Sequence, residues 1–453
     1  MNVYTGRPAR AGQSVLPSAL ATLTCALALV ADAVAGPAIQ SWKTEAGARV
    51  MFVPAPEIAL LDVRVTFRAG SARDGAEKGV AQLTNDLLNE GAGDLDANLF
   101  AEQLGTTGAR LQTGARRDMA YIALRTLADD QYAEPALALL QLAMARPRFD
   151  TQAIARLKAQ AQVAFKHKRQ SPSKIAEEAF YAALYASHPY ASPPDGTPTT
   201  VAALAREDLV AFHQRYYVAS NAVISIVGQV DRQRAEAIAS ALNDALPAGT
   251  RAAALPQVAK TDGLLQNVEF PSIQSHVRVG LPGMSRTDPD YFALLVGNHV
   301  LGGNSLVSLL FEEIRSKRGL SYSAYSYFLP MEAPGPFIAA MQTDRTQQDE
   351  ALNVLRETLT SFINDGPEEK ALEAAKQNLI GGFPLRVDSN QKIVEYIGMI
   401  GFYDLPLDYL DTFTNKVQAI TLDDVRSAFA RRVRLEEMVT VVVGRKDLPA
   451  QPQ

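Results

Sequence analysis

The residues able to do chemistry in this chain are few, and most are placed where they cannot act together. Its five histidines, His167, His188, His213, His276 and His299, are scattered, and no two stand at metal-ligand spacing on one helix. His188, in a His-Pro-Tyr stretch, reads as a structural histidine with its hydrogen bonds satisfied. No G-x-S-x-G elbow, Walker loop or dinucleotide fingerprint occurs, and Gly302-Gly303-Asn304 reads as a turn rather than a phosphate cradle.

Two constellations remain. Gln82 and Asp86 stand four residues apart, which puts them on one face of a helix with Asn85 beside them. Gln is a poor zinc ligand, Asn has no basic group at neutral pH, and only Asp86 can offer a carboxylate oxygen. The second constellation is Arg315 and Tyr322, a guanidinium and a phenol seven residues apart that could both donate to oxygen atoms. By the residues alone, Arg315 could equally pair with Glu312 or Glu313, and Tyr322 could be a buried strand aromatic.

The elements that would position them follow from periodicity. A helix over residues 307–317 ends near Gly319, which can take the left-handed conformation that closes a helix. An extended run over 320–328 comes next, with Leu320, Tyr322, Ala324 and Phe328 on one face, so Arg315 and Tyr322 can converge across the Gly319 turn. Around Gln82, the residues Val80, Leu83 and Leu87 recur at helical spacing and face a core, leaving Gln82, Asn85, Asp86 and Asn89 as a polar face.

Further out, Leu61, Val63, Val65 and Phe67 alternate with Asp62, Arg64, Thr66 and Arg68, the period of a half-buried strand. Alanine-rich helical segments span residues 133–183, and 223–228 reads as a buried strand ending in a turn. The plan then repeats: a strand near 276–281, a helix from about Pro289, further helices, and a terminal strand over 439–443. The endings Ile226-Val227-Gly228 and Val442-Val443-Gly444 are about 215 residues apart, far longer than any solenoid period, which implies a duplicated domain. Residues 247–265, rich in Ala, Pro, Gly and Lys, suit a linker between domains over 36–246 and 266–453.

The 453 residues are 47% apolar and 21% charged, ordinary for a soluble protein with a sizeable core, and the formal charge of -5 gives no basic stripe for nucleic acid. Arg7 and Arg10 precede an apolar stretch over 15–34 that ends Ala33-Val34-Ala35, the small-x-small pattern of a signal peptidase site. Pro17, several hydroxyl residues and Asp32 make this stretch a poor membrane span. The expectation is a signal peptide over 1–35 cut after Ala35, and a periplasmic or secreted protein with no stable membrane insertion. That cut removes Cys25, the only cysteine, and with it thiol chemistry.

The ordered run Phe67-Arg68-Ala69-Gly70-Ser71, Gly79-Val80-Ala81, His188-Pro189-Tyr190, Gly196-Thr197, Phe212 through Tyr217, Asn221 and Val227 through Asp231 resembles the pitrilysin, insulinase and mitochondrial processing peptidase family. The similarity continues through Gly302-Gly303, Leu310-Phe311, Arg315 to Tyr322, Lys376 and Val443-Gly444. It therefore covers nearly all of the chain beyond the leader. The resemblance implies an α+β fold of two homologous domains, each a mostly antiparallel sheet packed with helices, together half of a clamshell.

Active members carry H-x-x-E-H, in which two His bind zinc and the Glu polarises water. The matching positions here are Gln82, Leu83, Thr84, Asn85 and Asp86. The family's third ligand is a Glu further along, yet no Asp or Glu occurs from Thr151 through Ala176. The resemblance thus implies a degenerate zinc site and no metal in this chain. It also implies that Arg315 and Tyr322 grip substrate at a zinc site held by another domain, where Tyr322 donates to an oxyanion and Arg315 holds a carbonyl or carboxylate. Gly302, Gly303 and Asn304 lie where the processing peptidase's non-catalytic subunit has a glycine-rich loop linked to substrate handling. The expected whole is a non-catalytic, substrate-gripping subunit of a heterodimeric zinc peptidase. Its partner is a similar-sized H-x-x-E-H chain that brings the zinc, and its substrate an unfolded peptide. A purely structural scaffold subunit is the alternative.

Overall fold

The structure, a computed structural model, describes residues 38–304 and 306–444. The expected signal peptide and its cut after Ala35 lie outside the described residues.

Two sheets organise the chain. The first contains β1 (Gln40–Lys43), β2 (Arg49–Pro54), β3 (Leu60–Phe67), β6 (Arg110–Ala115), β7 (Ala120–Leu127) and β8 (Ala222–Gly228); the two-residue strands β4 (Gly91–Ala92) and β5 (Leu95–Asp96) form a separate small hairpin. The second contains β9 (Leu264–Glu269), β10 (Gln274–Met284), β11 (Ser321–Phe328), β12 (Gly335–Asp344) and β13 (Val439–Gly444). Strand order is β1-β2-β8-β3-β7-β6 in one and β11-β12-β10-β13-β9 in the other, so β2-β8-β3-β7-β6 and β9-β13-β10-β12-β11 are the same sheet built twice. In each, one pair is parallel, β2 with β8 and β9 with β13, and the rest are antiparallel. Helices repeat in step: Arg206–Tyr216 precedes β8 as Leu422–Arg432 precedes β13.

The sheets are tied by an exchange of helices. Helix Pro172–Tyr185, from the first half, lies on β10 and β13 of the second sheet, and helix Asn390–Phe402, from the second half, lies on β2, β3 and β8 of the first. Gly401 allows that approach, since a Cβ there would sit 2.6 Å from Val223 Cγ1. This explains a departure from the half-buried strand expected at 61–68. Every residue of β3 from Leu61 to Phe67 is buried, because the partner domain's helix covers the face that would otherwise meet water. Asp62 and Arg64 on that strand are therefore interior; Arg125 meets Asp62 through two hydrogen bonds of 2.8 and 3.1 Å.

Residues 247–263 form neither helix nor strand, and Leu264 and Leu265, at the end of the expected linker, begin β9. The connection is packed down: Leu255 and Val258 rest against the core around Phe180 and Tyr190, and the His188 ring nitrogen Nε2 meets the Pro256 carbonyl at 3.1 Å. No described helix is long and apolar enough to cross a membrane.

Candidate functional site

Helix Val80–Asp86 begins at Gly79, whose φ of +93° is left-handed, and a Cβ there would lie 2.8 Å from Val201 Cγ2. Asp74 supplies the cap from outside the helix: its carboxylate accepts from the amides of Gly79 at 2.7 Å and Ala81 at 3.0 Å. Val80, Leu83 and Leu87 are buried, as their spacing requires. The polar face is less simple than expected. Asn85 is fully buried, and its Nδ2 donates to the Tyr121 carbonyl and to the Tyr217 hydroxyl, each at 3.1 Å. The short helix is sandwiched between the first sheet and helix Arg206–Tyr216, so the side that periodicity left polar is also covered. An amide that spends both its donors on the interior is a structural residue in the place of the family's general base.

Gln82 Nε2 donates to Asp86 Oδ1 at 2.8 Å. Burial pushes the Asp86 carboxyl up to about 6, against the lowering effect of the Gln82 bond, while the nearby Glu90 charge raises it further. Gln82 borders a cavity of about 530 Å³ whose wall includes Lys168, Glu178 and Asp195. The Lys168 ammonium sits between these two acids, 2.5 Å from Glu178 and 3.1 Å from Asp195. Among the described residues no three of His, Cys, Asp and Glu are grouped to hold a metal ion. The residues present do not fit zinc: of the two equivalent ligand positions Gln82 is an amide and Asp86 a single carboxylate bonded to it, and Glu178 and Asp195 of the adjoining cavity are engaged by Lys168.

Arg315 and Tyr322 are brought together. Helix-like residues Phe311–Ser316 form a wide turn in which the Lys317 amide reaches back five residues to Glu312, at 2.9 Å. Gly319, at φ +65°, ends it, with its amide donating to the Arg315 carbonyl at 2.9 Å. The chain then enters β11, where it departs from a regular strand. Ser321 pairs with Thr343 and Ser323 with Gln342, leaving Tyr322 without a partner in a bulge. The single proton of the Ser321 hydroxyl is shared between the carbonyls of Gln342 at 2.6 Å and Ser323 at 2.8 Å, its oxygen accepts from the Ser323 amide, and the Thr343 hydroxyl donates to the Leu320 carbonyl, so side chains replace the lost ladder bonds.

As a result Tyr322 is turned out of the face it was expected to share with Leu320 and Ala324: those two are buried and Tyr322 is 79% exposed. The Arg315 guanidinium stacks over the Tyr322 ring, 4.5 Å from its centre, and over Phe311 at 4.9 Å. Glu312 and Glu313 do not hold Arg315; they are taken by Lys317 and, for Glu313, Arg318. Neither bland alternative for this pair survives.

Gly302, Gly303 and Asn304 are not an open loop. His299–Gly303 continues helix Tyr291–Asn298 as one wide helical turn, with Asn304 at its end. A Cβ on Gly302 would come within 2.3 Å of the Ser326 amide, so this glycine lets the turn lie directly on β11. The Asn298 amide fastens the contact by bonding to the Ser326 carbonyl at 3.0 Å and accepting from its hydroxyl at 2.7 Å. These residues seat the strand that displays Tyr322. Glu178, Asp195 and Asp74 carry no signal in the sequence, since nothing in their local spacing says that they converge on the Gln82 helix.

Two family models match in succession: insulinase, peptidase family M16, over residues 49–197, and peptidase M16 inactive domain over 203–379. A crystal structure of a peptidase M16 inactive domain from Pseudomonas fluorescens superposes with a TM-score of 0.88 at 38% identity, covering 91% of this chain and 99% of that one. A Helicobacter pylori protein called non-peptidase homolog YmxG is 25% identical over 388 residues, 85% of this chain and 89% of the relative. A Bacillus subtilis protein called uncharacterized zinc protease YmxG is 23% identical over 407 residues, 90% and 98% of the two.

Proposed function

This chain belongs to the M16, or insulinase, peptidase family, and from that premise we propose that it is a non-catalytic member that completes the site of a zinc peptidase partner by presenting Arg315 and Tyr322. The observation that carries this reading is the pair itself. A tyrosine held 79% exposed by a bulge, with an arginine stacked on its ring, does nothing for the core of this domain. The phenol is free to donate to the developing oxyanion of a peptide bond, and the guanidinium to hold a neighbouring carbonyl or carboxylate. At the other end of the family's machinery, Asn85 is locked into the interior, Gln82 is bonded to Asp86, and Lys168 holds Glu178 and Asp195 of the cavity that Gln82 borders. Metal and base therefore come from a second, similar-sized chain carrying H-x-x-E-H, and the substrate is an unfolded peptide enclosed between the two.

The test is cleavage of an unfolded peptide by this chain alone, by the candidate partner alone and by the mixture. The expected order is no turnover, weak turnover and full turnover; full activity of the partner alone refutes the proposal. Activity that requires both chains but ignores Arg315 and Tyr322 assigns a scaffold role instead. Export is part of the reading, and the exported protein is expected to begin at Gly36, as N-terminal sequencing would establish.

A further inference from the structure

Between the two domains lies a cavity of about 730 Å³, walled by β3, the β6–β7 turn, the segment after β11 and helix Asn390–Phe402 with the residues before it. Six cations line it: Arg64, Arg116, Arg117, Arg286, Arg386 and Lys392. Only Lys392 has a carboxylate partner, Asp388; the five arginines form no ion pair among the described residues. Arg64 is the sharpest case. It is 8% exposed, its Nε donates to the Thr66 hydroxyl at 3.3 Å, and its guanidinium lies 3.5 Å from the centre of the Tyr121 ring. Burial lowers its pKa, the mark of a charge deprived of water. Arg286 has its Nε buried without a partner.

Two acids border the same cavity, against six cations, and neither is ion-paired with an arginine. Asp118 is fully engaged, accepting from the Tyr190 and Tyr403 hydroxyls and from the Glu332 amide. Glu395, exposed on its helix, favours the Arg64 cation through its charge but forms no ion pair with any of the five arginines. A buried guanidinium facing a cavity of matching sign calls for an anion from outside. Apolar surface stands at the mouth beside these charges, where Leu329 is 41% and Leu385 67% exposed. A bare inorganic anion gains nothing from those leucines, whereas a peptide end carries both a carboxylate and a side chain.

We propose that this cavity binds the free C-terminal carboxylate of a peptide, with Arg64 at its floor, Arg116 and Arg386 at its rim, and the last apolar side chain against Leu329 and Leu385. The ligand class rests on the peptide-handling reading above, but the binding is a property of this chain alone.

The experiment is therefore done without a peptidase partner. A fluorescent peptide ending in leucine is titrated with the full chain at low salt, as the free acid and as the C-terminal amide. The amide is expected to bind at least tenfold more weakly, and the Arg116→Ala/Arg386→Ala variant to lose the free acid by a similar factor. Both rim residues are exposed, so that variant folds even where Arg64→Met does not. Equal binding of acid and amide, or unchanged affinity in the rim variant, overturns the proposal. Displacement of the peptide by inorganic phosphate at lower concentration than by N-acetyl-leucine overturns it in favour of a phosphate site. Failure here leaves the cleavage result with the partner untouched, so the two readings are decided separately.

Discussion

Tyr322→Phe is the perturbation that isolates the role of the hydroxyl. In the structure the phenol makes no hydrogen bond within the chain among the described residues, and the ring, not the oxygen, contacts Arg315. Phenylalanine keeps the ring, the stack and the bulge, whose bonds come from Ser321 and Thr343. Folding stability should therefore change by no more than about 0.5 kcal/mol, as for an exposed surface substitution. If the hydroxyl donates to the oxyanion in the partner's site, its loss removes about 3 kcal/mol of transition-state stabilisation, or roughly a hundredfold or more in rate. The assay is steady-state cleavage of an unfolded peptide by the saturated two-chain mixture, with kcat and KM separated. A fall in kcat with little change in KM is expected, because the interaction is made mainly in the transition state. Tyr322→Ala should lose a further ~0.5–1 kcal/mol through the stacked arginine, which is no longer held. Unchanged kcat in Tyr322→Phe, with melting also unchanged, removes Tyr322 from the site and refutes the reasoning.

Other outcomes follow from the buried polar groups. Asn85→Ala strands the Tyr121 carbonyl and Tyr217 hydroxyl in the core and should cost about 2–3 kcal/mol, read as a lower urea midpoint; no loss would mean that this face is solvated after all. Asp118→Ala leaves three donors from both domains without an acceptor and should cost about 3–5 kcal/mol, with the two domains still melting together because of the exchanged helices. Asp86 titrates near 6 when folded against 3.8 as a free side chain. Between those values the folded chain keeps a proton that the unfolded chain has lost, so this group's contribution to stability falls as pH rises from about 4 to 6. Asp86→Asn removes that loss, and after allowing for partial exposure should be about 1–2 kcal/mol more stable than wild type at pH 7. The gain should vanish near pH 4; a pH-independent difference in melting would contradict the assignment.

The local signals in the sequence were sound where a single segment decides the outcome. Gly319 does end its turn in the left-handed conformation, and the 216-residue spacing of Gly228 and Gly444 does mark two copies of one sheet. The Gly302 stretch was legible as a place where the chain must bend closely, but not as the seat of β11, because the Ser326 backbone it touches is more than twenty residues away.

What the residues alone determined is a matter of chemical type. Glutamine, asparagine and aspartate at positions 82, 85 and 86 cannot reproduce a His-Glu-His zinc site in any fold, and an arginine and a tyrosine on either side of a glycine turn are near enough along the chain to meet. What they could not determine is which side of each element meets water. Alternation along β3 predicted one solvated face; a helix from the other half of the chain covers it, and buries Arg64 over a cavity. Helical spacing put Asn85 outside; a sheet and a second helix enclose it. Strand alternation put Tyr322 with buried residues; the pairing of β11 with β12 inserts a bulge that turns it outward. Exposure depends on contacts between segments far apart in sequence, and it is exposure that makes Asn85 structural and leaves Tyr322 free to act on another chain.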